Sequence, residues 1–98
     1  TEVHGKLKST ATQPTPGGWN QPNMDATNSF GFTGLPGGLR NELGIFGNVF
    51  EYGYWWSTSA SSSNQSWYRY MGAGLGCHCI PRFNNFKTLG LSVRCLRD

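Results

Sequence analysis

Aromatic and polar positions alternate most sharply in the second half of the chain. From Tyr52, the residues Tyr52, Tyr54 and Trp56 fall on one side of an extended backbone, and Gly53, Trp55 and Ser57 on the other. A period of two carried by aromatics predicts a strand. The serine-rich stretch 57–66 has little to bury and reads as a loop. Trp67–Met71 reads as a second strand and Leu75–Ile80 as a third, stopped by Pro81. Arg82–Thr88, with Asn84 and Asn85 adjacent, reads as a turn. In the last segment, Leu89–Leu96, the residues Leu89, Leu91, Val93 and Cys95 point one way while Ser92 and Arg94 point the other, as in a half-buried antiparallel strand. The main antiparallel strands are therefore expected within 52–96.

The first half reads differently. Residues 1–29 are polar and interrupted by Pro14, Pro16, Gly17, Gly18 and Pro22, so they are expected to be loop-rich, with at most a short strand over Gly5–Thr10. Phe30–Arg40 reads as a strand running into a turn cluster at Leu35-Pro36-Gly37-Gly38. Leu39–Phe50 could hold a short turn of helix. No window of helical spacing free of Gly or Pro extends far enough for a long helix, and no tandem repeat is visible. The expected class is mainly β, α+β at most, with an antiparallel sheet, long irregular loops and little helix.

Composition narrows this further. The 98 residues allow one domain, 1–98, around one core. Only 13% of residues are charged, while 14% are aromatic and 14 residues are Gly, a profile unlike that of a helical bundle. Eight Lys and Arg against five Asp and Glu give a net charge of +3, but the cations are scattered from Lys6 to Arg97. Nucleic-acid binding requires clustered cations, so no nucleic-acid partner is expected. Nothing approaches the apolar length of a membrane span, and no signal-peptide pattern is present. A chain starting at Thr1 instead of Met is expected to be a processed or excised piece.

Three cysteines sit at 77, 79 and 95. On a strand, Cys77 and Cys79 share a face with Cα atoms about 6.5–7 Å apart, at or beyond the disulfide limit. Cys95 could bond to either of them or to a cysteine outside this chain, and an odd count leaves at least one thiol free or intermolecular. Cys77-His78-Cys79 with His4 could bind zinc or copper in principle, but on a strand His78 points away from both thiols.

The blocks Gly5-Lys6-Leu7-Lys8, Trp19 with Pro22-Asn23 and Ala26-Thr27-Asn28, Gly31-Phe32, Leu35-Pro36-Gly37-Gly38 with Arg40, Gly53-Tyr54-Trp55-Trp56-Ser57, Tyr68-Arg69, and Ser92-Val93-Arg94-Cys95 with Arg97-Asp98 run in order along the chain. Together they resemble the Fibrobacter succinogenes major paralogous domain of bacterial secreted and surface proteins. The resemblance implies a C-type lectin-like fold and a place outside the cell or on its surface. It also implies a distant similarity to formylglycine-generating enzyme domains, whose Gly-Asn-Val-Trp-Glu-Trp signature Gly47-Asn48-Val49-Phe50-Glu51-Tyr52 echoes. Members usually carry an N-terminal half with two helices and a cysteine suited to pair with one at the position of Cys95. This chain looks like the C-terminal half, which implies cover for a sheet face from a partner, a second copy or the N-terminal segment.

Candidate chemistry follows from the side chains. Rigid rings stack on sugars and anchor interfaces at low entropic cost, which makes Trp19, Trp55, Trp67, Tyr68 and Tyr70, together with Asn23, the candidate ligand-binding set. Alternation sends about half of the aromatics to the core. Gln21-Pro22-Asn23 looks like the tripeptide with which calcium-dependent lectins hold sugar hydroxyls, and Asn23, Asp25 and Asn28 could supply oxygens to calcium. A calcium site wants six to eight oxygens, however, and Asx-rich turns use the same residues without metal, so no cofactor is expected. Asp25, Glu42 and Glu51 are the internal carboxylates that a glycosidase would need to pair. The preferred function is a bacterial recognition module that binds carbohydrate or a surface protein. The alternatives are a small secreted hydrolase acting on polysaccharide and a structural or protein-interaction domain.

Overall fold

The computed structural model describes residues 3–74 and 82–95. Among these the chain is mainly β. One short helix, α1 (Val3–Leu7), precedes five strands: β1 (Leu39–Arg40), β2 (Phe46–Gly47), β3 (Tyr52–Ala60), β4 (Gln65–Gly72) and β5 (Arg82–Phe86). β1 and β2 form a two-residue antiparallel ladder. The principal sheet is antiparallel, in the order β3-β4-β5.

The aromatic alternation produces β3 and β4 as expected, and both run further than their apolar residues. β3 continues through Ser57 to Ala60, so the connecting loop is only Ser61–Asn64, closed by Ser61 and Ser62 amides donating to the Gln65 carbonyl at 3.0 and 3.2 Å. Serines carry no apolar signal, yet their backbones extend the ladder, with a register shift between Trp56 and Ala60. Arg82–Phe86, expected as a turn, is instead a strand. Its residues pair one for one with Gln65–Arg69, and the Asn84 amide donates to Gln65 Oε1 and Ser61 Oγ across the hairpin. Tertiary pairing outweighs the local turn preference of Asn84 and Asn85.

Three further expectations are corrected. Gly5–Thr10 holds no strand: α1 occupies its start and only Lys8 forms a bridge, to Gly34. The Gly5 and Lys6 carbonyls instead accept from Thr27, Asn28 and Phe30, which ties α1 to the Asn-rich loop. Leu39–Phe50 is a hairpin with no helical turn, because Asn41 Oδ1 accepts the amides of Leu43 and Ile45 and Gly44 takes a φ of 84°. Leu89–Leu96, the clearest alternating segment, is no continuous strand over its described residues. Gly90 makes an antiparallel bridge to Arg40 and Ser92 a parallel one to Trp55. The segment meets β1 and β3 through one residue each and ladders with neither, and Val93 is left 65% exposed. The expected strand at Leu75–Ile80 lies outside the described residues.

The core sits where the irregular N-terminal half meets one face of the sheet. Trp19 is fully buried with Met71 and Ala73, and Leu7, Phe32 and Trp55 pack around them. The indole Nε1 donates to Ser9 Oγ and to the Gly34 carbonyl, each at 3.1 Å. Lys8 is also fully buried: its Nζ donates to the Gly72 carbonyl at 2.9 Å and lies 5.4 Å from the Trp19 ring centroid. Burial lowers its pKa to about 8, against a smaller opposing pull from Asp25.

Candidate functional site: a tyrosine-lined sheet face

Residues paired across an antiparallel sheet share a face. The register therefore sorts the aromatics unambiguously: Tyr54 pairs with Tyr70, Trp56 with Tyr68, and Tyr68 in turn with Phe83. These rings, with Tyr52, stand on the face opposite Met71 and Trp55. Tyr52, Tyr54, Tyr68, Tyr70 and Phe83 line one open concavity of about 350 Å³.

The rings make a continuous array. Tyr54 lies at its centre, with centroids 5.7 Å from Tyr70, 5.9 Å from Tyr68 and 6.0 Å from Tyr52. Phe83 extends it across β5, 5.9 Å from Tyr70 and 6.3 Å from Tyr68, at tilts of 30° and 33°. Trp56 closes one end edge-on against Tyr68. Such tilted pairs each add about 0.5–1.5 kcal/mol beyond area burial, which favours the packed arrangement of the array.

Two of the phenols, Tyr54 and Tyr68, are pushed toward their neutral form. Burial pushes the Tyr54 pKa above the ordinary tyrosine value; the Asn48 amide, which donates to its hydroxyl at 3.0 Å, partly offsets this, and the neighbouring tyrosines add to it. Tyr68 is raised by burial and by Tyr70, with Asn85 opposing. The site thus offers the partly exposed rings of Tyr52, Tyr68, Tyr70 and Phe83, packed around a Tyr54 that is itself only 9% exposed, edged by hydroxyls that both donate and accept.

The residues singled out from sequence divide between this face and other places. Tyr68 and Tyr70 belong to it. Trp19 does not, being wholly core. Trp55 lies on the opposite face, edge-on to Phe32 at 5.8 Å, in a separate cleft of about 360 Å³ with Leu35, Val93 and Arg94. Trp67 is also on that opposite face, under the Arg82 guanidinium at 4.2 Å. Asn23 is buried, donating to the Ser9 carbonyl at 3.1 Å, and its Oδ1 has no partner among the described residues. It is therefore not presented to a ligand at the surface. Sequence reading omitted Tyr52, Tyr54 and Phe83. The period-two pattern grouped the two tyrosines, but nothing local revealed that β5 brings Phe83 alongside.

The oxygen-rich loop does turn work. Asn23, Asp25 and Asn28 all have positive φ, a conformation that Asn and Asp tolerate best after glycine. Asn28 spends its amide on Thr33, accepting from its backbone and donating to its hydroxyl. Among the described residues no three His, Cys, Asp or Glu group together to hold a metal. The three carboxylates are placed on three different loops. Glu51 is half-buried and accepts from Asn20 Nδ2 at 3.0 Å, Glu42 is exposed in the Asn41–Ile45 turn, and Asp25 is exposed near α1. Cys95 is an exposed free thiol, while Cys77 and Cys79 lie outside the described residues. No described helix is long and apolar enough to cross a membrane.

No curated protein and no solved structure shows a significant match to this chain. The model of the Fibrobacter succinogenes major domain matches residues 1–97. With almost the whole chain covered, the protein belongs to the Fibrobacter succinogenes major domain family.

Proposed function

We propose that this domain is a non-catalytic recognition module that binds carbohydrate on its tyrosine face, outside a bacterial cell or at its surface. One observation carries the proposal: four phenols and Phe83, brought together from three strands, line a single open concavity. Pyranose rings present apolar C–H faces flanked by hydroxyls, and a tilted array of phenols matches both, by stacking and by hydrogen bonds at the rim. The C-type lectin-like architecture implied by the family resemblance supports the same reading. A hydrolytic role has less support, because Asp25, Glu42 and Glu51 stand on separate loops and none lines this concavity.

Titration of intrinsic fluorescence with a panel of oligosaccharides tests the proposal, since Trp56 abuts Tyr68 and reports on the face. Binders should shift the emission, and Phe83→Ala on the exposed edge strand should weaken them by about 5- to 30-fold, the equivalent of about 1–2 kcal/mol for one stacking ring. No spectral change with any glycan at millimolar concentration would refute it. A protein-interaction role has its own separate support in the β1–β2 hairpin, where Leu43, Ile45 and Phe46 are 77%, 60% and 73% exposed.

A further inference from the structure

We infer that the tyrosine face selects neutral glycan chains, read over two or more consecutive sugar units, against both single sugars and acidic polysaccharides. This rests on the carbohydrate reading above and goes beyond it by naming the ligand class.

The charge argument comes from register. Every side chain that the β3-β4-β5 pairing puts on this face is uncharged: Tyr52, Tyr54, Trp56, Tyr68, Tyr70 and Phe83, with Ser66 and Asn85 beyond them. The sheet's two arginines stand on the opposite face, where Arg69 pairs with Trp55 and Arg82 with Arg69, and Arg82 is stacked on Trp67. Burial raises the pKa of Tyr54 and Tyr68 above the ordinary tyrosine value, so neither adds a charge to the face at neutral pH. Glu51, the nearest carboxylate in sequence, is engaged by Asn20 at the end of the face. A uronate or sulfate pressed onto these rings would therefore lose water and meet no cation among the described side chains of the face. That penalty translates into at least about tenfold weaker binding. The net charge of +3 favours polyanions only at long range, and it is largely screened beyond about 8 Å at physiological salt.

Length follows from the sheet's dimensions. Three strands spaced about 4.8 Å apart and a run from Tyr52 to Trp56 at about 3.4 Å per residue give a surface of roughly 10 by 14 Å. That area exceeds one pyranose ring, so a monosaccharide leaves part of the array wet, and each further unit covers another ring.

The test is calorimetric titration of the intact protein at 150 mM salt with three probes: glucose, neutral β-glucan oligomers of two to six units, and oligogalacturonates of matched length. The expected result is affinity rising about tenfold or more from the monomer to the trimer, then levelling, with oligogalacturonates at least about tenfold weaker than neutral oligomers. Tyr70→Phe, which keeps the ring, should retain the length dependence, whereas Phe83→Ala should shorten the plateau by about one unit. Equal affinity for oligogalacturonate, or a monomer that binds as well as the trimer, would overturn the inference while leaving a tyrosine-face glycan site standing. Absence of binding by all three probes, and by the wider panel, would remove the carbohydrate reading itself.

Discussion

Trp19→Phe tests whether the core is organised around one indole. Trp19 is fully buried, and its Nε1 serves two acceptors, Ser9 Oγ and the Gly34 carbonyl. Phenylalanine removes that donor; the Gly34 carbonyl keeps the Ser9 amide at 3.0 Å, while Ser9 Oγ faces a ring edge, costing about 1–2 kcal/mol. The smaller ring also forfeits contacts with Met71 and Ala73, for about 1–2 kcal/mol. The cation–π contact with Lys8 weakens by about 0.5 kcal/mol. The net expectation is about 3 kcal/mol, a large part of the roughly 5–15 kcal/mol that holds a domain of this size together. With a urea m-value of about 2 kcal/mol/M, the midpoint should fall by about 1.5 M. Far-ultraviolet circular dichroism is the readout of choice, since the mutation changes the fluorescence itself. Trp67→Phe is the control: Trp67 is half-exposed under Arg82, and its replacement should cost less than about 1 kcal/mol. A Trp19→Phe variant within about 1 kcal/mol of the parent, or no worse than Trp67→Phe, would refute the view that this indole organises the core.

Stability should also rise with pH between about 8 and 10.5. Lys8 has its pKa lowered from 10.5 to about 8 in the folded protein, so across that window the unfolded chain holds a proton that the folded one has released. The rise is bounded by about 3 kcal/mol. Above pH 10 the raised phenols of Tyr54 and Tyr68 reverse the trend, because the unfolded chain ionises first and stability is lost. Urea midpoints at pH 7, 9, 10 and 11 check this, and Lys8→Met should flatten the rise; a parent curve already flat from pH 8 to 10 would count against it. Gly38→Ala should destabilise by about 2 kcal/mol or more, because Gly38 has a φ of 67° and an added Cβ would strike the Gly47 carbonyl. Thermal melts read the effect, and an unchanged Tm would show that the β1–β2 hairpin yields without cost.

The sequence by itself determined the class of this protein and its two best strands. Period-two aromatics at Tyr52–Trp56 and Trp67–Met71 have few alternatives to a sheet, and the Gly- and Pro-rich first half cannot support long helices. The ordered GYWWS and SVRC blocks also led to the family, a conclusion that needs no contact map. What local pattern could not provide was register. Arg82–Phe86 carries turn residues and becomes a strand because β4 offers it a complete ladder. Leu89–Leu96 carries the best alternation and remains without a ladder over its described part, because it crosses from β1 at Arg40 to β3 at Trp55 with one bridge to each and runs along neither. The same limit governed the candidate site. Alternation divided the aromatics into two sets, but burial of either face was equally compatible with the pattern. Only the packing of Trp19, Met71 and Ala73 against the Trp55 side decided which set was core. The tyrosine face follows from that choice: a hydrophobic pattern specifies that one side of a sheet is covered, and the rest of the chain specifies which side.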